Sequence, residues 1–199
     1  VLPKRVGLLK INGLDLSGTL YLSGLEMLRQ LSCSDNDLTG LNLSDLPALI
    51  SLECRNNKLT GLNLSNLPAL KYIDCSENKL TGTLDLTNFT NLETLFAEDN
   101  NLSFIDVSGL ASFESLCCYN NKLTGFDASG TSLLALDCDN NLLTELDLSG
   151  FDSLDYLYCR NSLLTSVKLN PDAPYSSGID VRNNYLPGES AVSGKDGII

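Results

Sequence analysis

The 199-residue chain contains no histidine, no tryptophan and one methionine, and it carries only 13 lysines and arginines against 25 aspartates and glutamates. Each shortage excludes something. Without histidine there is no Ser-His-Asp or Cys-His catalytic centre and no histidine-ligated zinc site. A formal net charge of −12 repels phosphate backbones and anionic lipid, so nucleic acid is not expected as a partner. No apolar run approaches the length of a membrane span, so membrane insertion of this segment is not expected either. Seven cysteines are present but no C-x-x-C pair, the spacing a thiolate metal site would favour. With 43% hydrophobic residues the chain has enough apolar material for one domain or one elongated array. It begins at Val1 with no initiator methionine and no charged-then-apolar leader, and reads as a processed or excised segment.

What the chain has is periodicity. The phrase "LECRNNKLTGLNLS" from Leu52 returns with small changes from Ile73, Leu116 and Leu136. Taking its cysteine as marker, one column reads Ile11, Cys33, Cys54, Cys75, Ala97, Cys118, Cys138, Cys159 and Val181, in steps of 20 to 22 residues. Nine rungs therefore cover nearly the whole sequence. Within a rung the pattern is L-x-x-L-x-C-x-x-N-x-L. Its L-x-C portion alternates with period two, which predicts a short strand with leucine and cysteine inward. Stacked at about 4.8 Å per rung, nine such strands give a parallel sheet roughly 38 Å long. A column that also accepts Ala97 and Val181 asks for a small apolar group, so Cys33, Cys54, Cys75, Cys118, Cys138 and Cys159 read as free packing thiols; cross-rung disulfides and metal binding are the alternatives. A second column, Asn36, Asn57, Asn78, Asn100, Asn121, Asn141 and Asn184, supplies amides that can satisfy the backbone of each sharp turn. It is broken by Ser162 and Leu14, where looser turns are expected. After each turn comes an alternating "LNLS" or "LDLT" phrase, suited to a second narrow sheet on the other side. The 20-residue step between Cys118 and Cys138 should pinch that side near Thr131.

This pattern resembles the leucine-rich repeat family over roughly residues 6 to 186, in particular the short repeats of bacterial, internalin-like surface and secreted proteins; the Ile-Pro signature of the plant repeat is missing. The resemblance implies a mainly β, right-handed solenoid with a concave parallel sheet and a convex side of short extended segments and turns with little helix. It also implies an extracellular or cell-surface location and a non-enzymatic scaffold that binds protein or peptide. Residues 187–199, rich in Gly and Ser, read as a C-terminal tail or linker, with other domains of the same chain as possible neighbours.

The residues between the buried positions form the concave face. Tyr72, Phe96, Tyr119, Tyr156 and Tyr158 gather there with Asp74, Glu98, Asp137, Asp139 and Arg160. Large rings beside charges suit a binding surface, and the acids suit a basic partner segment. The plainer reading is that the rings only cover the sheet. Cys117 falls one place before the cysteine column, faces the concave side, and is the one thiol expected to react. Phe89, Phe113, Phe126 and Phe151 fall on core positions. No cofactor is implied. A structural spacer is the alternative to a binding module, and a calcium site at Glu98, Asp137 and Asp139 is a weaker one, since no ligand loop of fixed spacing occurs. The pair Asp137 and Asp139 is the nearest approach to an acid–base centre, on an open sheet that desolvates little. The glycosylation sequons at Asn42 and Asn63 are by-products of the repeated phrase.

Overall fold

The computed structural model describes residues 6–43, 46–64 and 66–195; Ser44 and Ser65, which complete the sequons at Asn42 and Asn63, lie outside them. The chain coils into nine rungs. Each contributes one three-residue strand to a continuous nine-stranded sheet that runs from Leu8–Lys10 to Gly178–Asp180. All pairs are parallel and match one residue to one, so Leu31, Leu52, Ile73, Leu95, Leu116, Leu136 and Leu157 form a single row. Every member of that row is buried, as period two requires. Each buried leucine contributes about 1.5–3 kcal/mol, and stacking is what makes such short strands stable.

The cysteine column follows directly. All six members are fully buried, and all seven cysteines of the chain are free thiols. The column does more than fill space. The N–H groups of Cys54, Cys75 and Cys138 donate to the carbonyl of the next rung's strand end at 2.8 Å, and their Sγ atoms reach the same carbonyl at 3.4 Å. Burial raises the thiol pKa throughout the column where a shift is seen, to about 12 at Cys33, which keeps these groups protonated.

The turn that follows has a feature not anticipated from the sequence. The residue before each ladder asparagine adopts the left-handed conformation, with φ between 50° and 58° at Asp35, Asn56, Glu77, Asp99, Asn120, Asn140, Asn161 and Asn183. Asp and Asn tolerate that region better than other side chains, which explains this column's composition; Glu77 is the exception. The ladder asparagine then satisfies the turn. Asn78 Nδ2 donates to the carbonyls of Cys54, Cys75 and Ser76 at 3.0–3.2 Å, and its Oδ1 accepts from the N–H of Leu59 at 3.0 Å. Asn57, Asn100, Asn121 and Asn141 repeat this arrangement.

The looser turns expected at the two breaks are not found. Asn161, before Ser162, has the same φ of 52° as its neighbours, and buried Ser162 accepts from the N–H of Asn141 at 3.3 Å. In the first rung, Leu14 is exposed and its N–H is held by Asn36 Oδ1 of the next rung at 3.1 Å. Turn shape is imposed by the stack, so a single missing amide removes bonds without changing the backbone.

The convex side is a sheet in three pieces. Ser17–Tyr21 pairs with Asp37–Asn42; Thr81–Asp85, Asn101–Asp106 and Gly125–Asp127 form a second group; Glu145–Asp147, Ser166–Lys168 and Val192–Ser193 form a third. The second interruption falls at the 20-residue step. There the side opens into a hollow of about 350 Å³ between Phe126 and Leu146 rather than closing in. The first, of about 730 Å³, lies beside Leu62, Leu64, Leu84 and Phe89. Phe113 is fully buried, Phe89 is buried, and Phe126 and Phe151 are half-buried against the same core.

Residues read as tail or linker continue the coil as far as Lys195. A single turn of 3-10 helix, Glu189–Ala191, leads into Val192–Ser193, which pairs with Ser166–Lys168. Gly194 then packs so closely, at φ +95°, that an added Cβ would lie 1.9 Å from the Leu169 carbonyl oxygen. Lys195 Nζ donates to the Ala173 carbonyl and lies 5.0 Å from the Tyr175 ring centroid. Residues 196–199 lie outside the described part.

Candidate functional site: the concave face

Because the central residue of each inner strand points into the core, its first and third residues lie on the opposite face and align from rung to rung. One row reads Asp74, Phe96, Cys117, Asp137, Tyr158 and Asp180; another contains Tyr72 and Tyr156. The residues just past the cysteine column, among them Glu98, Tyr119, Asp139 and Arg160, border these rows. All eleven residues singled out from the sequence therefore share one face.

They do not act alike, and the face divides in two. In the later rungs the groups satisfy one another. The Tyr156 and Tyr158 rings lie 4.4 Å apart, and the Arg160 guanidinium sits 5.1 Å from the Tyr158 ring centroid. Asp139 is buried and fully engaged: its two oxygens take the Arg160 N–H, Nε at 2.7 Å and Nη2 at 2.6 Å. Arg182 and Asp180 extend this network at 2.6 Å. Asp139 is thus held in an ion pair within the chain, and among the described residues no group of three or more His, Cys, Asp or Glu side chains converges. The ion-pair partner of Asp139 is Arg160. Opposite charges one rung apart in one column were the sequence signal for this pairing.

The middle rungs differ. The Tyr72 and Phe96 rings are 5.7 Å apart and tilted. Asp74 is turned back onto Ser76, accepting its Oγ–H at 2.6 Å and its N–H at 3.1 Å. Next to these rings Glu98 Oε2 is buried without a hydrogen-bond partner among the described residues. Burial pushes the Glu98 carboxyl up from the usual range, against hydrogen bonds to the carboxyl from its own N–H and the Cys117 thiol, with the charges of Asp74 and Asp99 adding to the rise. Asp137 is likewise raised, chiefly by burial and also by Asp139. The Tyr72 and Tyr119 phenols are raised first by burial and then by neighbouring carboxylates.

Cys117 corrects an expectation. It does face the concave side, but it is half-buried, and burial together with Glu98 and Asp137 pushes its thiol far above the ordinary value. The nucleophilic thiolate is disfavoured there, although Cys117 is still the most accessible of the seven thiols. A hollow of about 600 Å³ at the end of this face is lined by Tyr158, Asp180 and Arg182. Among the described residues no helix is long and apolar enough to cross a membrane.

No protein-family model and no curated protein matches the chain. Solved structures do. YopM from Yersinia pestis, a leucine-rich effector protein, is 28% identical over 96% of this chain and 57% of its own, with a TM-score of 0.70. The Arabidopsis receptor kinase HAESA, solved with the peptide hormone IDA and the co-receptor SERK1, is 25% identical over 91% of this chain and 34% of its own, with a TM-score of 0.73. The functional domain of InlJ from Listeria monocytogenes, described as including a cysteine ladder, is 24% identical over 85% of this chain and 57% of its own, with a TM-score of 0.36. The chain thus spans between about a third and somewhat over half of the length of these three structures.

Proposed function

We propose that this chain, a leucine-rich repeat solenoid, is a non-enzymatic scaffold that holds an extended protein or peptide segment along the middle of its concave face. The observation that carries the reading is Glu98: a carboxyl whose Oε2 is buried without a partner, beside the Tyr72 and Phe96 rings and near Tyr119. A buried acceptor left unpaired costs about 1–3 kcal/mol, and a partner's Lys or Arg side chain laid against the rings would remove that cost while meeting a net charge of −12. Support by analogy comes from HAESA, which was solved bound to a peptide hormone. We place the module outside the cell or at its surface, as the resemblance of its repeats implies.

The later rungs favour a second reading for their own part of the face. There Asp139, Arg160, Tyr156 and Tyr158 are occupied with one another, which is what a sheet covering itself would show. Should the middle rungs behave the same way, the solenoid is a spacer between other domains.

The test is a display library of extended peptides, some rich in Lys and Arg and some in Asp and Glu, panned against the folded chain and against a Glu98→Gln, Tyr119→Ala variant. Basic peptides should be enriched by the first and lost by the second. Equal enrichment of acidic peptides, or capture unaffected by the substitutions, would discard the middle of this face as the docking surface. A Tyr158→Ala variant should change little.

A further inference from the structure

One flank of the coil changes character along its length. The residue directly after the ladder position points outward in every rung. It is Asp37, Lys58, Lys79, Asn101 and Lys122 in five successive rungs, then Leu142, Leu163 and Tyr185 in the next three. These last three are exposed by 44%, 38% and 68%, large values for apolar side chains. They occupy equivalent places one rung apart, since the N–H of Leu163 donates to Leu143 and that of Tyr185 to Leu164, both at 2.9 Å. One border changes in step. The left-handed column beside the stripe carries three acids, Asp35, Glu77 and Asp99, with Asn56 in the early rungs, and asparagine alone from Asn120 through Asn140, Asn161 and Asn183. The other border stays uncharged throughout, with exposed Thr144 and Thr165 in the late rungs as Thr39, Thr60 and Thr81 in the early ones. In a protein of net charge −12, the late flank is an exposed apolar stripe with an uncharged amide and hydroxyl rim, beyond which lie Glu145 on one side and Arg182 on the other.

We propose that this flank is a self-association surface on which two copies meet about a two-fold axis near Leu163, with Leu142 of each copy facing Tyr185 of the other. Three features select a second copy as the occupant. Two chains of charge −12 repel one another over most of their surface, and an uncharged flank is where they can approach without setting like charges face to face. An evenly spaced three-membered stripe is its own counterpart when reversed, which is the condition for a two-fold contact. The asparagine rim both donates and accepts, so it also matches itself. The size of the contact sets its strength. A stripe of three rungs, about 10 Å long, covers well under the roughly 800 Å² per partner of stable dimers, so the dimer is weak and forms only at high concentration.

Sedimentation of the intact chain up to about millimolar concentration tests this. A reversible dimer is expected, strengthened by added salt because salt screens the repulsion between the two acidic copies. Leu163→Glu should abolish it and leave the melting temperature unchanged, since the side chain is exposed. A Leu163→Cys variant under oxidising conditions should form a disulfide-linked dimer at least about tenfold faster than Lys79→Cys, the same rung position in the charged half. A chain that stays monomeric at every concentration and salt level, association that survives Leu163→Glu, or equal cross-linking of the two cysteine variants would each overturn the proposal.

Discussion

The two long sides of the coil are built from the same rungs of 20 to 22 residues, yet one is continuous and the other is broken. The inner sheet pairs nine strands without a slip. The outer one is divided into three pieces and slips register at Gly18/Thr19 and at Gly82/Thr83. What differs is the anchoring. In the middle rungs each inner strand is followed at once by a buried cysteine-column residue and a buried asparagine whose side chain ties its own rung to the one before, which pins the register. Every variation in rung length is therefore expressed on the outer side. The phrase "LNLS" shows this well: it occurs at 41 and again at 62, but Leu41 and Asn42 lie in a strand whereas residues 61–64 do not. Strand formation there belongs to the pair of rungs and not to the phrase.

The contrast can be broken most forcefully at the ladder. Asn78→Ala removes three donated bonds and the acceptor for Leu59, and should cost about 3–5 kcal/mol in denaturant unfolding. Ser162→Ala should cost only about 1 kcal/mol, because one bond to the backbone is at stake. On the outer side, Gly194→Ala drives a Cβ into the Leu169 carbonyl and should release the last outer strand, costing about 2 kcal/mol. Fast hydrogen exchange at Leu169 with unchanged protection of Tyr156–Tyr158 would show that damage stays on that side. In the opposite direction, Ser162→Asn restores the ladder in a turn that already has the right shape, and should raise stability by about 1 kcal/mol.

The smallest effect is electrostatic. Burial raises the Glu98 and Asp137 carboxyls above their ordinary range, so the folded chain holds these protons more tightly than the unfolded chain. Their contribution to stability therefore falls as pH rises from the ordinary carboxylate range through the raised values. Glu98→Gln should flatten that slope and stabilise the neutral-pH protein by less than about 1 kcal/mol, since the side chain keeps some solvent contact. Asp155 has the opposite sign. Hydrogen bonds from Ser176 and Ser177 hold it at about 2, so its contribution is lost only as pH falls through that value.

Much of this architecture was legible in the sequence because burial repeats. The spacing of Cys33, Cys54 and Cys75 marks an inward column, and Phe113 falls on its core position for the same reason. Less legible was anything decided between rungs. Asp139 looked like an available acid, and only its neighbour one rung later, Arg160, makes it a buried ion pair. Cys117 looked accessible, but the carboxyls that hold its proton lie one rung to either side, at Glu98 and Asp137. The left-handed column was readable in principle from its run of Asp and Asn, whose place beside a more regular asparagine column hid it. The segment before Lys195 read as linker because its composition is polar, whereas its attachment depends on Gly194 fitting against Leu169.

Residue-resolved hydrogen exchange on the intact chain tests the central claim most directly: that buried columns fix the inner sheet while the outer side is free to vary. The account predicts that the amides of Leu52, Ile73, Leu95 and Leu116, together with Leu59 and Leu80 held by ladder asparagines, exchange only with global unfolding, while Gly61 and Leu62 in the outer interruption exchange many orders of magnitude faster. Equal protection of Gly61 and Leu52, or inner strands that open one by one, would contradict it.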